Sequence, residues 1–305
     1  MSADDLVSEL AHEIVAGARS PGERLPAIRA LAQQRHCAPG TVARAYARLR
    51  DAGVISPHDR ARATVAPGGP AAARILLAGA GMLRLAGSDD PALDALLRAA
   101  AEHVTLTPGS RGSVAGLTQL ARGSADAAAI HLLHAGSGRH NDPFVRGLLG
   151  GEPAVLVHLW RREQGLVVPR GNPQGIRSPE DLAGRRLAWR GPGTGSRLLL
   201  ERLLREAGVP PRPDLAEPAG SHFEVATAVA TGAADSGLAV RAAAESADAD
   251  WVPVAVEPFE LALRAEALPA AEALLDVLAS SATQARIGAL PGYDLTETGT
   301  TRRPE

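Results

Sequence analysis

Lysine is missing from this 305-residue chain: every one of its 32 basic side chains, histidine aside, is an arginine. That absence removes Schiff-base chemistry and the phosphate-loop lysine from what the protein can do. One cysteine, Cys37, leaves no intramolecular disulfide framework and fits a reducing compartment. Nothing near it in sequence would stabilise a thiolate, so it reads as inert rather than redox active. Aromatic residues amount to only 3% and are scattered, which favours packing roles over a stacking platform. No uncharged apolar run approaches the roughly 20 residues that span a bilayer. The acidic opening Ser2-Ala3-Asp4-Asp5 lacks the basic and apolar regions of a secretory leader. The expectation is a cytoplasmic protein with no membrane association. Apolar residues at 45%, charged residues at 22% and a net charge of −2 supply a core and argue against a disordered tail protein.

The first 67 residues read as three helices and a hairpin. Leu6, Val7, Leu10, Ile14 and Val15 recur at helical spacing between Ala3 and Ala18, and Pro21-Gly22 stops that helix. A second helix is expected from Ile28 to His36, burying Ile28, Leu31 and Ala32. Ala38-Pro39-Gly40 form a turn, and a third helix from about Thr41 turns Val42, Ala45, Tyr46 and Leu49 inward. Thr41, Arg44, Arg48 and Arg50 are left outside, and Gly53 closes the helix. Val54-Ile55 and Thr64-Val65 flank a loop bearing Arg60 and Arg62. Arg19, Arg24, Arg29, Arg35, Arg44, Arg48, Arg50, Arg60 and Arg62 face only Glu23, Asp51 and Asp59 over residues 19–67. A basic segment on a slightly acidic chain is the electrostatic footprint of nucleic-acid binding. Helix, turn, helix and basic hairpin is the order of a winged helix-turn-helix, whose third helix enters the major groove.

The stretch from Ile14 to Ile55 resembles the GntR-type winged helix. Pro21-Gly22, Leu25-Pro26, Arg29, Leu31-Ala32, Thr41-Val42, Ala45-Tyr46 and Gly53 stand in register with its PG-x-x-LP-x-x-R-x-LA and TV-x-x-A(Y) segments. Ala27 replaces the serine usual there, and the wing glycine expected before Thr64 is absent. The resemblance implies that Arg29, Thr41 and Arg44 touch phosphates or bases of double-stranded operator DNA, with Arg48 on the same exposed face. It implies Arg60 and Arg62 on the wing, and a homodimer reading two half-sites.

Pro67-Gly68-Gly69-Pro70-Ala71-Ala72-Ala73 reads as a linker, giving domains 1–67 and 74–305. Beyond it, strands are expected at Arg74–Ala80, Ala127–Leu132, Ala154–Leu159, Gly165–Val168, Leu187–Trp189, Ser236–Val240 and Trp251–Val254. Helices begin at Asp90 and Thr194, so the class is α/β. An internal repeat adds that Ser113–Asp126 aligns without gaps on His222–Asp235: a polar helix start, a glycine end, then Ala-Asp into a strand. Two copies at that separation suggest two similar lobes. Gly87–Asp90, Gly109–Ser113, Gly191–Arg197 and Gly220–His222 are glycine-and-hydroxyl turns opening helices. Such turns are ordinarily N-caps, but free N–H groups at a helix start also suit anions. Gly193-Thr194-Gly195-Ser196-Arg197 favours a ligand, because flexible backbone, two hydroxyls and an arginine fork coincide there.

Residues from 74 onward also resemble the periplasmic-binding-protein-like domain of cytoplasmic regulators, related to molybdate-type solute-binding proteins. The matching pieces are 87–97, 112–133, 140–151, 162–176, 191–208, 221–240 and 290–294. The implied fold is bilobal, type II, two α/β lobes crossed twice by the chain. The implied ligand shell is Ser88, Ser113, His131, Thr194, Gly195, Ser196, Arg197 and His222. Asp89, in place of a histidine common in that family, adds a carboxylate that would repel an oxyanion or pair with Arg197 or a cationic ligand. His131, His134, His140 and Asp142 have no recognised metal-site spacing, so no metal and no cofactor is expected. No Ser-His-Asp or paired-carboxylate pattern stands out, and Thr296–Glu305 reads as a frayed tail. The expected protein is a ligand-responsive transcription regulator, not an enzyme, with an oxyanion such as molybdate or a small organic metabolite as effector. A cytosolic solute-binding protein and an aminotransferase-fused enzyme are the other readings, and the missing lysine argues against the latter.

Overall fold

Ser2 starts the first helix by accepting the backbone N–H of Asp5 at 3.1 Å while the Asp5 carboxylate takes the Ser2 N–H at 2.7 Å, a reciprocal cap. The computed structural model describes residues 2–56, 63–77, 82–211 and 218–305, and the chain divides into two compact units, Met1–Arg84 and Leu85–Glu305. In the first unit, α1 (Ala3–Val15), α2 (Ile28–Gln34) and α3 (Pro39–Asp51) precede a short hairpin of β1 (Ile55–Ser56) and β2 (Thr64–Val65). Leu6, Leu10, Ile14, Leu31, Val42, Ala45 and Leu49 are completely buried together with Leu25 and Val54. The Tyr46 hydroxyl donates to the Pro26 carbonyl at 2.8 Å, and burial pushes its pKa up to about 12.

Three local expectations are corrected here. Helix α3 begins at Pro39, a residue suited to the first helical turn because it needs no N–H partner. Thr41 therefore lies inside that first turn and is buried, not outside with the arginines. Ile28 is 39% exposed although the spacing placed it in the core. Lastly, the segment read as a linker and a strand is a helix, α4 (Gly69–Leu77), packed on α1, with Ala73 fully buried in the N-terminal core. The break between units falls at Arg84/Leu85 accordingly.

The second unit is built on one sheet. In chain order its elements are β3 (Leu83–Gly87), α5 (Pro91–Ala99), β4 (Val104–Arg111), α6 (Ser113–Ala121), β5 (Ala127–Ile130), α7 (Asp142–Leu149), β6 (Ala154–Val168), β7 (Leu187–Ala188), α8 (Gly195–Glu206), α9 (His222–Ala230), β8 (Ser236–Val240), α10 (Arg241–Ser246), β9 (Asp250–Arg264), α11 (Leu268–Ala279), α12 (Ser281–Gly288), β10 (Tyr293–Asp294) and β11 (Thr301–Arg302). The strand order is β4-β3-β5-β9-β6-β8-β7, with β3/β5 and β7/β8 parallel and β5/β9, β9/β6 and β6/β8 antiparallel. Strands β6 and β9 pair along their lengths, so β5 joins them at one end and β8 at the other.

That arrangement makes two lobes with a common spine. Lobe I buries Leu117, Leu120, Ile130, Val145 and Leu156; lobe II buries Leu166, Leu199, Leu204, Val225 and Leu238. The repeat is visible in space: α6 leads into β5 in lobe I as α9 leads into β8 in lobe II, each through a left-handed glycine, Gly123 or Gly232. The β6/β9 ladder slips register between His158 and Trp160 and between Gln164 and Gly165, and such bulges bend a sheet. The expected strands 154–159 and 165–168 are thus one strand, β6. The tail is also ordered, contrary to expectation: β11 pairs with β6, and Arg302 donates to Glu260 at 3.0 Å and to Asp142.

Candidate functional site

On the first unit, Arg29, Arg44 and Arg50 are exposed, and Arg48 is exposed and paired with Asp4. Thr41 sits in the opening turn of α3, with its N–H bonded to the Ala38 carbonyl at 2.9 Å. Arg60 and Arg62 lie outside the described residues. The α3 face thus carries uncovered cations on a rigid helix, the arrangement needed to meet phosphates and base edges.

In the second unit three of the four glycine-and-hydroxyl turns open α5, α8 and α9; the fourth is corrected, since Gly109–Arg111 end strand β4 and only Gly112 separates it from α6. Asp90 caps α5, accepting from the N–H groups of Ala92 at 2.8 Å and Leu93 at 3.1 Å. Thr194 caps α8 and Ser221 caps α9, while α6 follows Gly112 with no side-chain cap. Ser88 and Ser113 hydroxyls lie 2.7 Å apart, and Ser113 Oγ also accepts the His131 N–H at 3.1 Å. The lobes meet directly: the Val114 N–H donates to the Gly193 carbonyl at 3.3 Å, and Gly195 lies against His131. A Cβ on Gly195 would stand 2.2 Å from the His131 carbonyl oxygen, so only glycine allows this approach.

Behind that contact is a polar cluster that the sequence reading missed. Arg162, fully buried, donates Nε and Nη2 to Glu257 Oε1 at 3.0 and 2.9 Å and Nη1 to Asp90 Oδ2 at 2.5 Å. Gln164 Nε2 donates to the same Glu257 oxygen at 2.8 Å and to Ser196 Oγ at 2.9 Å. The Tyr293 hydroxyl donates to Asp90 at 2.9 Å. Burial opposes ionisation of Glu257, but the charges of His131 and Arg162 and the hydrogen bonds prevail and hold it down to about 2. His131 Nδ1 is 2.8 Å from Glu257 Oε1. Burial and the Arg162 charge push that imidazole below the usual histidine range, with Glu257 pulling the other way.

His222 is the most telling of the expected shell residues. It is 1% exposed. Burial, then Arg190, Arg162 and His131, push its pKa well below the ordinary value, so the ring is neutral at pH 7. Its Nδ1 accepts the Val240 N–H at 3.3 Å, which fixes the tautomer and puts the proton on Nε2. That Nε2–H has no acceptor among the described residues. His222, Ser88 and Asp89 line a cavity of about 450 Å³ whose other walls include Leu97, Leu106, Arg111 and Phe223. Ser113, His131, Gly195 and Ser196 are packed against each other or the Arg162 cluster, and none of them is on that cavity's wall.

Two expectations about charge are changed. Asp89 pairs with Arg190 rather than Arg197. The Arg197 guanidinium donates to Glu201 at 2.7 Å and to the Arg190 carbonyl at 3.2 Å, and lies 4.7 Å from the Trp189 ring centre. Its fork is engaged along α8 and the β7 end, where it braces the opening turn. Arg190 also donates to the Ala219 carbonyl at 3.2 Å, tying the α8 turn to the α9 turn. The signal for Arg162, Gln164 and Glu257 was weak: Glu257 is a lone charge inside an apolar run, which a buried strand tolerates only when it is paired, but Arg162 and Gln164 stand in a continuous polar stretch, 161–164. Among the described residues no group of three histidine, cysteine or acidic side chains is placed to hold a metal.

Residues 2–65 match the model of bacterial regulatory proteins of the gntR family, and residues 94–279 match that of the PBP superfamily domain. The uncharacterized protein YvgK of Bacillus subtilis (strain 168) is 31% identical over 193 residues, 62% of this chain. The chain spans 63% of that relative's length. The regulatory domain of NMB2055 (MetR), a LysR family regulator from N. meningitidis, superposes with a TM-score of 0.50 at 16% identity, over 70% of this chain and 98% of that one. The sulfate-binding protein SubI from Mycobacterium tuberculosis H37Rv gives 0.50 at 17% identity, over 70% and 86%. At these identities the likeness is one of fold, the type II periplasmic-binding-protein-like arrangement of two lobes on a shared pair of strands.

Proposed function

Because this chain belongs to the PBP superfamily and opens with a DNA-binding domain of the gntR family, we propose that it is a transcription regulator that senses a small anionic molecule between its lobes and changes its affinity for operator DNA in response. The observation that carries the ligand half is His222, which lines a cavity and whose buried Nε2–H has no acceptor among the described residues. Leaving such a group unsatisfied costs about 1–3 kcal/mol, a penalty that a ligand oxygen would lift. Ser88 and Asp89 stand beside it on that wall, and Ser113, His131 and Ser196 form the polar layer behind. Thr194 caps α8, Gly195 lets its first turn pack on His131, and Arg197 braces that turn through the Arg190 carbonyl. Molybdate-like oxyanions and small organic acids both meet this description.

On the DNA side, Arg29, Arg44 and Arg48, with Arg60 and Arg62 on the wing, contact the operator, while the buried Thr41 packs the first turn of α3 that presents them. The chain acts in the cytoplasm as a homodimer on two half-sites about one helical turn apart. The test is a gel-shift titration of the full chain on DNA from its own upstream region. Arg44→Ala should lose about 1–3 kcal/mol of operator affinity if the side chain reads a base. Ligand and DNA must alter each other's affinity by one and the same factor, typically about 5–150-fold. Equal binding by wild type and Arg44→Ala at every salt concentration would defeat the DNA assignment.

A further inference from the structure

The cavity at His222 is much larger than its polar edge requires. Its volume is about 450 Å³, within the roughly 300–1,000 Å³ typical of sites for organic ligands, whereas a tetrahedral oxyanion has only a handful of heavy atoms. Its walls are mixed: Ser88, Asp89 and His222 on one side, with Leu97, Leu106 and Phe223 among the apolar ones. Leu106 is 61% exposed and Phe223 40% exposed, so both present uncovered apolar surface at the cavity. A bare inorganic anion would leave that surface wet.

Charge points the same way. The charged groups on that wall or behind it are Asp89 with Arg190, Asp90 and Glu257 with Arg162, and Asp94 and Arg111 on the wall itself, four carboxylates against three guanidiniums. Both neighbouring histidines are held neutral-ward by burial. A doubly charged oxyanion would enter a setting that is already net negative, which disfavours it. A single carboxylate matches the polar residues of that wall, Ser88, whose hydroxyl is shared with Ser113, and His222, whose buried Nε2–H has no acceptor among the described residues. Arg111 at the rim supplies the nearest exposed cation on that wall.

We propose that the effector is a small organic monocarboxylate whose head is held at Ser88 and His222 and whose apolar body lies against Leu97, Leu106 and Phe223. This rests on the ligand-sensing reading above and narrows it to one chemical class. The contacts of an inorganic oxyanion would stop at the polar edge.

The experiment uses the full chain and a homologous series, butyrate, hexanoate and octanoate, with benzoate, molybdate, sulfate and uncharged hexanamide alongside. Binding is read as the shift in thermal midpoint against concentration. Affinity should rise about fourfold for each buried methylene, and hexanamide should bind at least tenfold more weakly than hexanoate. Leu106→Asp and Phe223→Asp sit at exposed positions, so folding is not at stake, and each should erase the chain-length dependence. Flat responses to all four carboxylates overturn the proposal, as does equal binding of hexanamide. If molybdate or sulfate shifts the midpoint and Leu106→Asp leaves that shift intact, the monocarboxylate is refuted while the ligand-responsive regulator stands. Operator binding insensitive to any probe that shifts the midpoint counts instead against the regulator.

Discussion

Replacing Gly195 by alanine asks whether the contact between lobes is a working closure. The added Cβ would stand 2.2 Å from the His131 carbonyl oxygen and 2.4 Å from its Cε1, where ordinary contact is 3.4–4 Å. The first turn of α8 must therefore retreat by roughly 1 Å, and overpacking of that size in a tight contact costs about 1–3 kcal/mol. Lobe II can relieve the strain by swinging away on β6 and β9, since the helix itself accepts alanine at this position. The penalty then falls on the closed state alone and lowers its population relative to the open one by about 5–150-fold. Hydrogen exchange reads this without any ligand, because the Val114 N–H is donated across the lobes to the Gly193 carbonyl. Its exchange should quicken by that factor in Gly195→Ala, while core amides of α6 and β8 keep wild-type rates. Wild-type protection at Val114 in the variant would refute the argument. So would a loss of protection spread equally over both lobes, which would mean that Gly195 supports the fold and gates nothing.

Three other perturbations test different layers of the structure. Arg162→Met leaves Asp90 and Glu257 buried without their cation, so the second unit should lose about 3–5 kcal/mol in denaturant melts; a loss under 1 kcal/mol would show that the cluster is not as dry as described. His222 has its folded pKa depressed below the unfolded 6.5 by burial, Arg190, Arg162 and His131. The unfolded chain therefore binds the extra proton, and stability falls as pH drops through 6.5 toward the folded value, by up to about 1.4 kcal/mol per pH unit for each such histidine. His222→Asn should flatten the stability profile between pH 6.5 and 5.5 by up to one proton's slope, with His131, His140 and His158 supplying the rest; an unchanged slope would contradict the burial of a neutral ring. In the first unit, Tyr46→Phe strands the Pro26 carbonyl and should cost about 0.5–1.5 kcal/mol, read as a lower midpoint for that unit's transition.

What could be read from the chain was whatever is local. The apolar spacing in α1 and α3, the glycine-closed repeat and the helix starts at Asp90 and Thr194 each depend on a few neighbouring residues, and each stands where expected. Failures came where a distant partner decides. The run at 74–80 has the apolar content of a strand, yet the segment is helical to Leu77 because α1 offers it a face. Trp160-Arg161-Arg162-Glu163-Gln164 looks like a polar loop between two strands; it is continuous strand because Glu257, 95 residues on from Arg162, lies on the paired strand and neutralises it. Arg197 was given to the ligand from its place beside glycines, but Glu201 one helical turn along and Trp189 hold it. Arg190, which does pair with Asp89, carried no local mark.

Glu257 Oε1 is shared by Arg162 and Gln164 and sits beside His131, so one oxygen is wired to the spine, to lobe I and, through Gln164, to Ser196 in lobe II. A substitution anywhere in that circuit would disturb lobe mechanics and ligand contact together. Each member of such a circuit is held by the others, so a new effector is accommodated at least cost where residues have no polar obligations. Leu97, Leu106 and Phe223 are such places: they line the cavity through apolar side chains alone. Relatives that keep the Arg162–Glu257–Gln164 circuit are free to answer different molecules by exchanging one apolar wall, with the means of transmitting the answer left untouched.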